Sequence, residues 1–163
     1  MDGFHIRTAT ESDLAELLVL IRELAEYEHL SGEVTATEAD LRQSLLGDPP
    51  LAEALLGCFQ GAPVAYAVVF TIFSTFSGKP GLYIEDIYVK PEFRGTGLGL
   101  ALMRHLAHLA VARGCTRMAW SVLPWNAPAL RFYGNLGAER DERWHAYRLS
   151  EAALRDLAKG TTG

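Results

Sequence analysis

Residues 92 to 103 read EFRGTGLGLALM: an arginine, then glycines at alternate positions (Gly95, Gly97, Gly99), then good helix formers. Glycine is costly at a helix start unless the backbone takes φ > 0 or comes close to something. Spacing separates the loops that cradle phosphates. A P-loop needs Gly-Lys-Ser/Thr after its glycines, but Gly99 is followed by Leu100 and Ala101. The dinucleotide fingerprint fails because the third glycine comes one residue early and the loop lies past the middle of the chain. What remains is Arg94-x-x-Gly97-x-Gly99 between a strand and a helix N-terminus. Unpaired N–H groups and the positive end of the helix dipole suit a pyrophosphate there. The glycines alone fit equally a tight strand-to-helix turn with no ligand.

A second irregularity precedes the loop. Glu85 and Asp86 interrupt the apolar stretch LYI..IYV, where period-2 alternation puts them on opposite faces. An unpaired buried carboxylate is expensive, so at least one of them needs a partner or a task. Two readings stand side by side: structural ion pairs with neighbouring arginines, or a carboxylate that holds a cation and takes a proton. Residues 23 to 40 add six acids (Glu23, Glu26, Glu28, Glu33, Glu38, Asp40) with no Lys or Arg, which reads mainly as a solvated helical face. His105 and His108 are three apart on a helix and have no carboxylate or Cys ligands nearby in sequence. They read as polar-face residues, and no metal is expected.

These residues need a scaffold. IRTAT reads as a strand. Thr10 with Asp13 makes a capping box for a helix whose stripe is Leu14, Leu17, Leu18, Ile21, Leu24 and Ala25. Thr37 with Asp40 opens a shorter helix ending at Gly47. LAEALLGCF and PVAYAVVFTIF flank QGA as a hairpin, and GLYIEDIYV is a third long strand. Leu98, Leu102, Leu106 and Leu109 stripe the helix after the glycines, which Gly114 ends. TRMAWSVLP reads as a strand, WNAPALRFYGNLG as a helix with Pro128 near its start and Gly137 past its end, and RWHAYRLS as a closing strand before a last short helix. This order predicts an α/β (α+β) domain: a mixed, mostly antiparallel sheet with helices on both faces.

The 163 residues suffice for one domain, expected over 1–159 with a disordered tail at 160–163. No apolar run approaches the roughly 20 residues that span a bilayer. The N-terminus lacks a signal-peptide pattern, so a cytoplasmic location is the expectation, with no membrane partner. A net charge of −5 argues against nucleic acid and is compatible with a cationic partner. Cys58 and Cys115 form no C-x-x-C pair and read as small buried hydrophobes.

YIEDIYVKPEFRGTGLGLALM followed by VLPWNAPALRFYGNLGA resembles the GNAT acetyltransferase superfamily. FHIRTATESD, IRELAEYE, YIEDIYV and WNAPALRFY occur in the order of its diamine (spermidine/spermine) acetyltransferase branch and bacterial relatives, from about Phe4 to Leu149. The resemblance implies the GNAT fold and acetyl-CoA as co-substrate. It assigns the backbone of Ile87, Tyr88 and Val89 to the pantetheine arm. Arg94, Gly95, Thr96, Gly97, Leu98 and Gly99 go to the pyrophosphate, and Asn126 to a further cofactor contact.

The resemblance also implies a small primary amine as acceptor. Glu85 binds it and relays its proton, with Asp86, Tyr27 and Glu28 as further substrate-binding residues. It makes Tyr133 the general acid for the leaving thiolate; without it, an aromatic on a short amphipathic helix reads as core. A phenol, with an unperturbed pKa of about 10, can hydrogen-bond that sulfur and protonate it. Both cysteines lie outside the matched motifs, so direct attack rather than an acyl-enzyme is expected. The family precedent is a homodimer. An amino-acid-like amine such as thialysine is the alternative acceptor, and a non-catalytic acyl-CoA-binding module the alternative of another class. The stretch HLSGEV after Glu28 is less acidic than in the animal diamine enzymes, which makes the cofactor site the firmer assignment.

Overall fold

A computed structural model describes residues 3–160. The chain forms two compact units, one running to Leu123 and the other starting at Pro124. The first unit contains a five-stranded sheet in sequence order: β1 (Phe4–Thr8), β2 (Glu53–Phe59), β3 (Ala62–Ser74), β4 (Lys79–Val89) and β5 (Met118–Trp120). The first four strands pair antiparallel, and β5 runs parallel to β4, with Leu82 opposite Met118. A parallel pair needs a crossover. Helix α3 (Leu98–Ala112) supplies it.

Alternation along the strands builds two buried faces. Leu56, Tyr66 and Tyr88 cluster with Leu17 and Leu20 of α1 (Leu14–Tyr27) and with Leu41 and Leu45 of α2 (Glu38–Leu46). The intervening Leu55, Ala67, Val69 and Ile84 are buried on the opposite face. There Arg113, just past the end of α3, forks onto Glu53, the cross-strand partner of Val69. Of the predicted stripe of α3, Leu98, Leu102 and Leu106 are buried and Leu109 is half-buried. On α1, Leu20 joins the anticipated residues, while Ile21 and Leu24 are half-buried.

The capping box at Thr10 and Asp13 forms, and it does more than cap. The Asp13 carboxylate accepts from the Thr10 backbone N–H at 2.7 Å and takes both arms of the Arg7 guanidinium, each at 2.7 Å. β1 is thereby tied to the entry of α1. The charged fork and the Thr10 bonds hold the Asp13 carboxyl well below the usual carboxylate range.

The second unit carries α4 (Ala127–Asn135) and α5 (Glu151–Ala158). Two strand expectations change. TRMAWSVLP shortens to the three residues of β5, and RWHAYRLS forms no strand. The reason for the second is local. Trp144 and Tyr147 are three apart and share no strand face, and the Arg143 N–H and guanidinium turn back onto Asp141. Such side-chain bonds compete with extended pairing. The tail expected over 160–163 lies, from residue 161 on, outside the described residues. No helix among the described residues is long and apolar enough to cross a membrane.

Asp13→Ala leaves Arg7 without its carboxylate and α1 without its box. Asp13 is shielded but the Arg7 side chain is 37% exposed, so losing the pair and the cap together should cost about 1–2 kcal/mol. Because Asp13 titrates lower in the folded than in the unfolded chain, its contribution is complete above the unfolded value of about 4 and is lost as pH falls below it. Denaturant unfolding from pH 7 to 3 should therefore show the deficit at pH 7 shrinking towards pH 3.

Candidate active site

β3 and β4 pair without interruption from Ala65↔Val89 to Val68↔Asp86, and the next pair is Val69↔Ile84. Glu85 is the extra residue, opposite no partner, which makes it the apex of a β-bulge. The simple alternation expected at Glu85 and Asp86 therefore does not run through this point. Ile84 is buried on the α3 side. Asp86 lies opposite Val68 on the side of α1 and α2, and Glu85 is exposed.

Asp86 has a neighbour that sequence reasoning passed over. Tyr66 is fully buried, and its hydroxyl donates to Asp86 Oδ2 at 3.2 Å. A tyrosine inside the apolar run PVAYAVVF was the available signal, since a buried phenol needs a partner for its O–H. Burial pushes the Asp86 carboxyl up to about 6, the Tyr66 bond opposes that, and the charges of Glu85 and Glu28 add to the rise. Glu28, at the C-terminal end of α1, is itself raised by burial. Tyr66 is driven upward by its own burial and then by the Asp86 charge.

The structural reading of Glu85 and Asp86 required arginine partners. Among the described residues neither of them, nor Glu28, makes an ion pair. The nearby cation Lys90 is engaged elsewhere, 3.5 Å from Glu16 and 3.6 Å from Glu23 on α1. Of the acidic run, Glu26, Glu33, Glu38 and Asp40 are exposed as expected, whereas Glu23 and Glu28 are half-buried.

Beyond Val89 the chain turns through Pro91–Phe93 into the glycine loop. Gly95 (φ 74°) and Gly97 (φ 94°) both occupy the left-handed region that favours glycine. A Cβ at Gly95 would meet nothing within 4 Å, so the angle rather than crowding demands glycine there. Gly97 is the N-cap of α3 and offers no side chain to its first turn. The Thr96 hydroxyl donates instead to the Phe93 carbonyl at 2.6 Å, and the first turn contains no acid. A 15-residue helix thus begins with its N–H groups uncapped by side chains and with no carboxylate competing for them. That arrangement fits a pyrophosphate.

Arg94 links the loop to α1. Its guanidinium lies 4.4 Å from the centroid of Tyr27 and 5.5 Å from that of Tyr88, and its Nε–H donates to the Val89 carbonyl at 2.9 Å. Tyr27, Tyr88, Val89 and Arg94, drawn from three separate segments, are therefore neighbours. Burial and the Glu23 charge push the Tyr88 phenol up to about 12. Ile87 continues the ladder opposite Ala67.

In the second unit Asn126 is buried and caps α4, its Oδ1 accepting from the Ala129 N–H at 3.2 Å. Tyr133 is half-buried on α4 beside Phe132, with ring centroids 5.4 Å apart. Cys58 is buried in the core as expected, whereas Cys115 is only half-buried. Among the described residues no three His, Cys, Asp or Glu side chains are grouped to hold a metal ion.

Known proteins share both the sequence and the fold. The acetyltransferase (GNAT) family model matches residues 15–138. A thialysine N-epsilon-acetyltransferase of Sus scrofa is 41% identical over 170 residues, covering 97% of this chain and 99% of that protein. A human spermidine/spermine N(1)-acetyltransferase-like protein 1 is 33% identical, over 97% of this chain and 24% of that protein. An integron cassette protein from the mobile metagenome of V. cholerae superposes with a TM-score of 0.80 at 25% identity, covering 98% of this chain and 99% of that one. With a family match spanning most of its length and the glycine loop set between β4 and α3, the chain belongs to the GNAT family of acetyltransferases.

Proposed function

We propose that this chain transfers an acetyl group from acetyl-CoA to the primary amine of a small cationic substrate by direct attack. The observation that carries this reading is the group of three carboxylates, Glu28, Glu85 and Asp86, gathered at the bulge and the end of α1 without a cation. An ammonium ion is the complement of such a site. The polyamine or diamine end expected from the sequence meets that description. Thialysine, which names the activity of the pig relative, also ends in a primary amine. The higher identity of that relative favours an amino-acid-like amine as the second reading of the acceptor.

In this proposal acetyl-CoA supplies an activated acetyl thioester. The N–H groups at Gly97, Leu98 and Gly99, with Arg94, Gly95 and Thr96, hold its pyrophosphate, and the backbone of Ile87, Tyr88 and Val89 lines the pantetheine arm with Asn126 as a further contact. Tyr27, Glu28 and Asp86 hold the substrate cation. Glu85, exposed at the bulge, takes the ammonium proton directly or through a water and so frees the nitrogen lone pair. That pair forms the new C–N bond as the C–S bond breaks; the Tyr133 hydroxyl gives its proton to the departing sulfur, and the second proton shed by the amide nitrogen passes through water to restore the phenol. A homodimer in the cytoplasm completes the proposal.

The cofactor assignment is checked by thermal unfolding. A ligand at a hundredfold excess over its dissociation constant stabilises the fold by about 2.7 kcal/mol. Acetyl-CoA should raise the melting temperature by several degrees, and NADH and ATP by less. Gly97→Val, strained at φ 94°, should melt lower and lose the acetyl-CoA shift. A full shift in that variant would move the pyrophosphate elsewhere.

The acceptor assignment is checked by CoA release with a panel of putrescine, spermidine, lysine, thialysine and a peptide N-terminus. Glu85→Gln keeps the shape and removes the charge. Turnover of the preferred amine should fall by about 10²-fold or more while acetyl-CoA binding stays nearly intact. Activity within twofold of wild type from pH 7 to 9 would make Glu85 structural, and no release with any amine would leave an acyl-CoA-binding module.

Tyr133→Phe deletes one hydroxyl and keeps the ring beside Phe132. Loss of a positioned general acid costs about 10²–10⁴-fold in rate. Rapid-quench measurement should show that loss with acetyl-CoA affinity little changed, and a smaller loss with an activated thioester whose thiol has a low pKa. Equal loss of affinity and rate would assign Tyr133 to binding instead.

A further inference from the structure

Tyr66 lies in neither the glycine loop nor the acidic stretch. In the β3–β4 ladder it pairs with Tyr88, and Val68, two residues on, pairs with Asp86. Tyr66 and Asp86 are therefore diagonal neighbours on one face of the sheet. Diagonal neighbours lie about 7–8 Å apart at Cα, too far for short side chains but within reach of a tyrosine. The phenol spans that gap and donates to Asp86 Oδ2 at 3.2 Å, with its own ring fully buried. The pairing exists because the bulge at Glu85 sets Asp86 rather than Glu85 opposite Val68.

We infer that Tyr66 is a positioning residue for the acceptor amine: its buried hydroxyl holds the Asp86 carboxylate in place as the group that receives the substrate cation. This inference rests on the proposed amine acetylation. The groups that act on Asp86 are Tyr66 from β3, Glu85 on its own strand and Glu28 from the end of α1, and Leu41 and Leu45 of α2 pack against the apolar cluster on this face. Tyr88 packs against Tyr66 with ring centroids 6.2 Å apart, and Arg94 lies over Tyr88. Around Asp86, then, burial and two acids favour the protonated form, and the Tyr66 hydroxyl is the group that favours the charged one. Removing it should move the Asp86 titration upward. The protein would then hold an uncharged acid over a pH range in which the native chain holds a carboxylate. An uncharged acid attracts no ammonium ion.

The test is Tyr66→Phe, which removes one oxygen from a filled site, with Leu56→Val as a control. Leu56 is buried opposite Tyr66 in the β2–β3 ladder and carries no hydroxyl. Two readouts run in parallel: the side-chain carboxyl carbon of Asp86 followed by NMR across pH 4 to 9, and the pH profile of kcat/KM for the amine. Loss of a hydrogen bond to the charged form should raise the Asp86 midpoint by about one pH unit in Tyr66→Phe. The acid limb of kcat/KM should move with it, giving about a fivefold loss near pH 6 and little loss at pH 8.5. Leu56→Val should melt lower and move neither midpoint. An unmoved Asp86 midpoint in Tyr66→Phe would overturn the inference and leave the proposed activity standing. A moved midpoint with an unmoved kinetic limb would also overturn it, and would remove Asp86 from the acceptor site itself.

Discussion

The β3–β4 ladder accommodates one residue too many, and the acidic site follows from that mismatch. Side chains on a strand alternate between faces, so one extra residue changes which face the following residues occupy. Upstream of Glu85, Ile84 pairs with Val69 and is buried on the α3 side; downstream, Asp86 pairs with Val68 on the side of α1 and α2. Glu85 is left exposed at the apex. The bulge therefore produces an exposed acid and a shielded acid next to each other in a strand whose Leu82, Ile84 and Tyr88 are buried in the core. Beyond it the ladder resumes through Val89, and the Lys90 N–H bonds to the Val64 carbonyl before the chain leaves for the glycine loop.

The electrostatic character of the site comes from what is kept away from it. Asp13 and Asp86 are both shielded aspartates in the first unit, and they shift in opposite directions. Asp13 receives two charged hydrogen bonds from Arg7 and stays ionised far into acid. Asp86 receives one neutral hydrogen bond, from Tyr66, and faces two acids, so burial dominates and its carboxyl rises to about 6. Two cations stand close by and are committed elsewhere: Lys90 lies between Glu16 and Glu23, and Arg94 stacks over Tyr27 and Tyr88 while bonding Val89. Arg94 joins the turn after β4 to the last turn of α1. The predicted cofactor loop and the predicted acceptor residues Tyr27 and Glu28 are in this way anchored to one another.

Much of this arrangement is local and was legible in the sequence. The boxes at Thr10/Asp13 and Thr37/Asp40 mark helix starts through bonds three residues apart. Gly95 and Gly97 mark a left-handed backbone that other residues resist. The leucine stripe of α3 follows from 3.6-residue periodicity, and the conflict of Glu85 and Asp86 with their apolar strand marks the point where the β3–β4 register shifts. What the sequence left open depended on partners distant along the chain. Alternation could not tell which acid would be shielded, because the bulge arises from the mismatch between two strands and belongs to neither alone. RWHAYRLS has strand-forming residues but no ladder, and bonds between Arg143 and Asp141 hold its start in a turn. Tyr66 reads as one aromatic in an apolar run until a diagonal neighbour twenty positions away accepts its hydrogen bond. The sequence by itself determined the helix caps, the strained glycines and the presence of two acids in a core strand, because each is a property of a few adjacent residues. Only the tertiary structure decided which acid is shielded, what bonds to it and where the nearby cations are spent, because register and charge pairing exist only between segments.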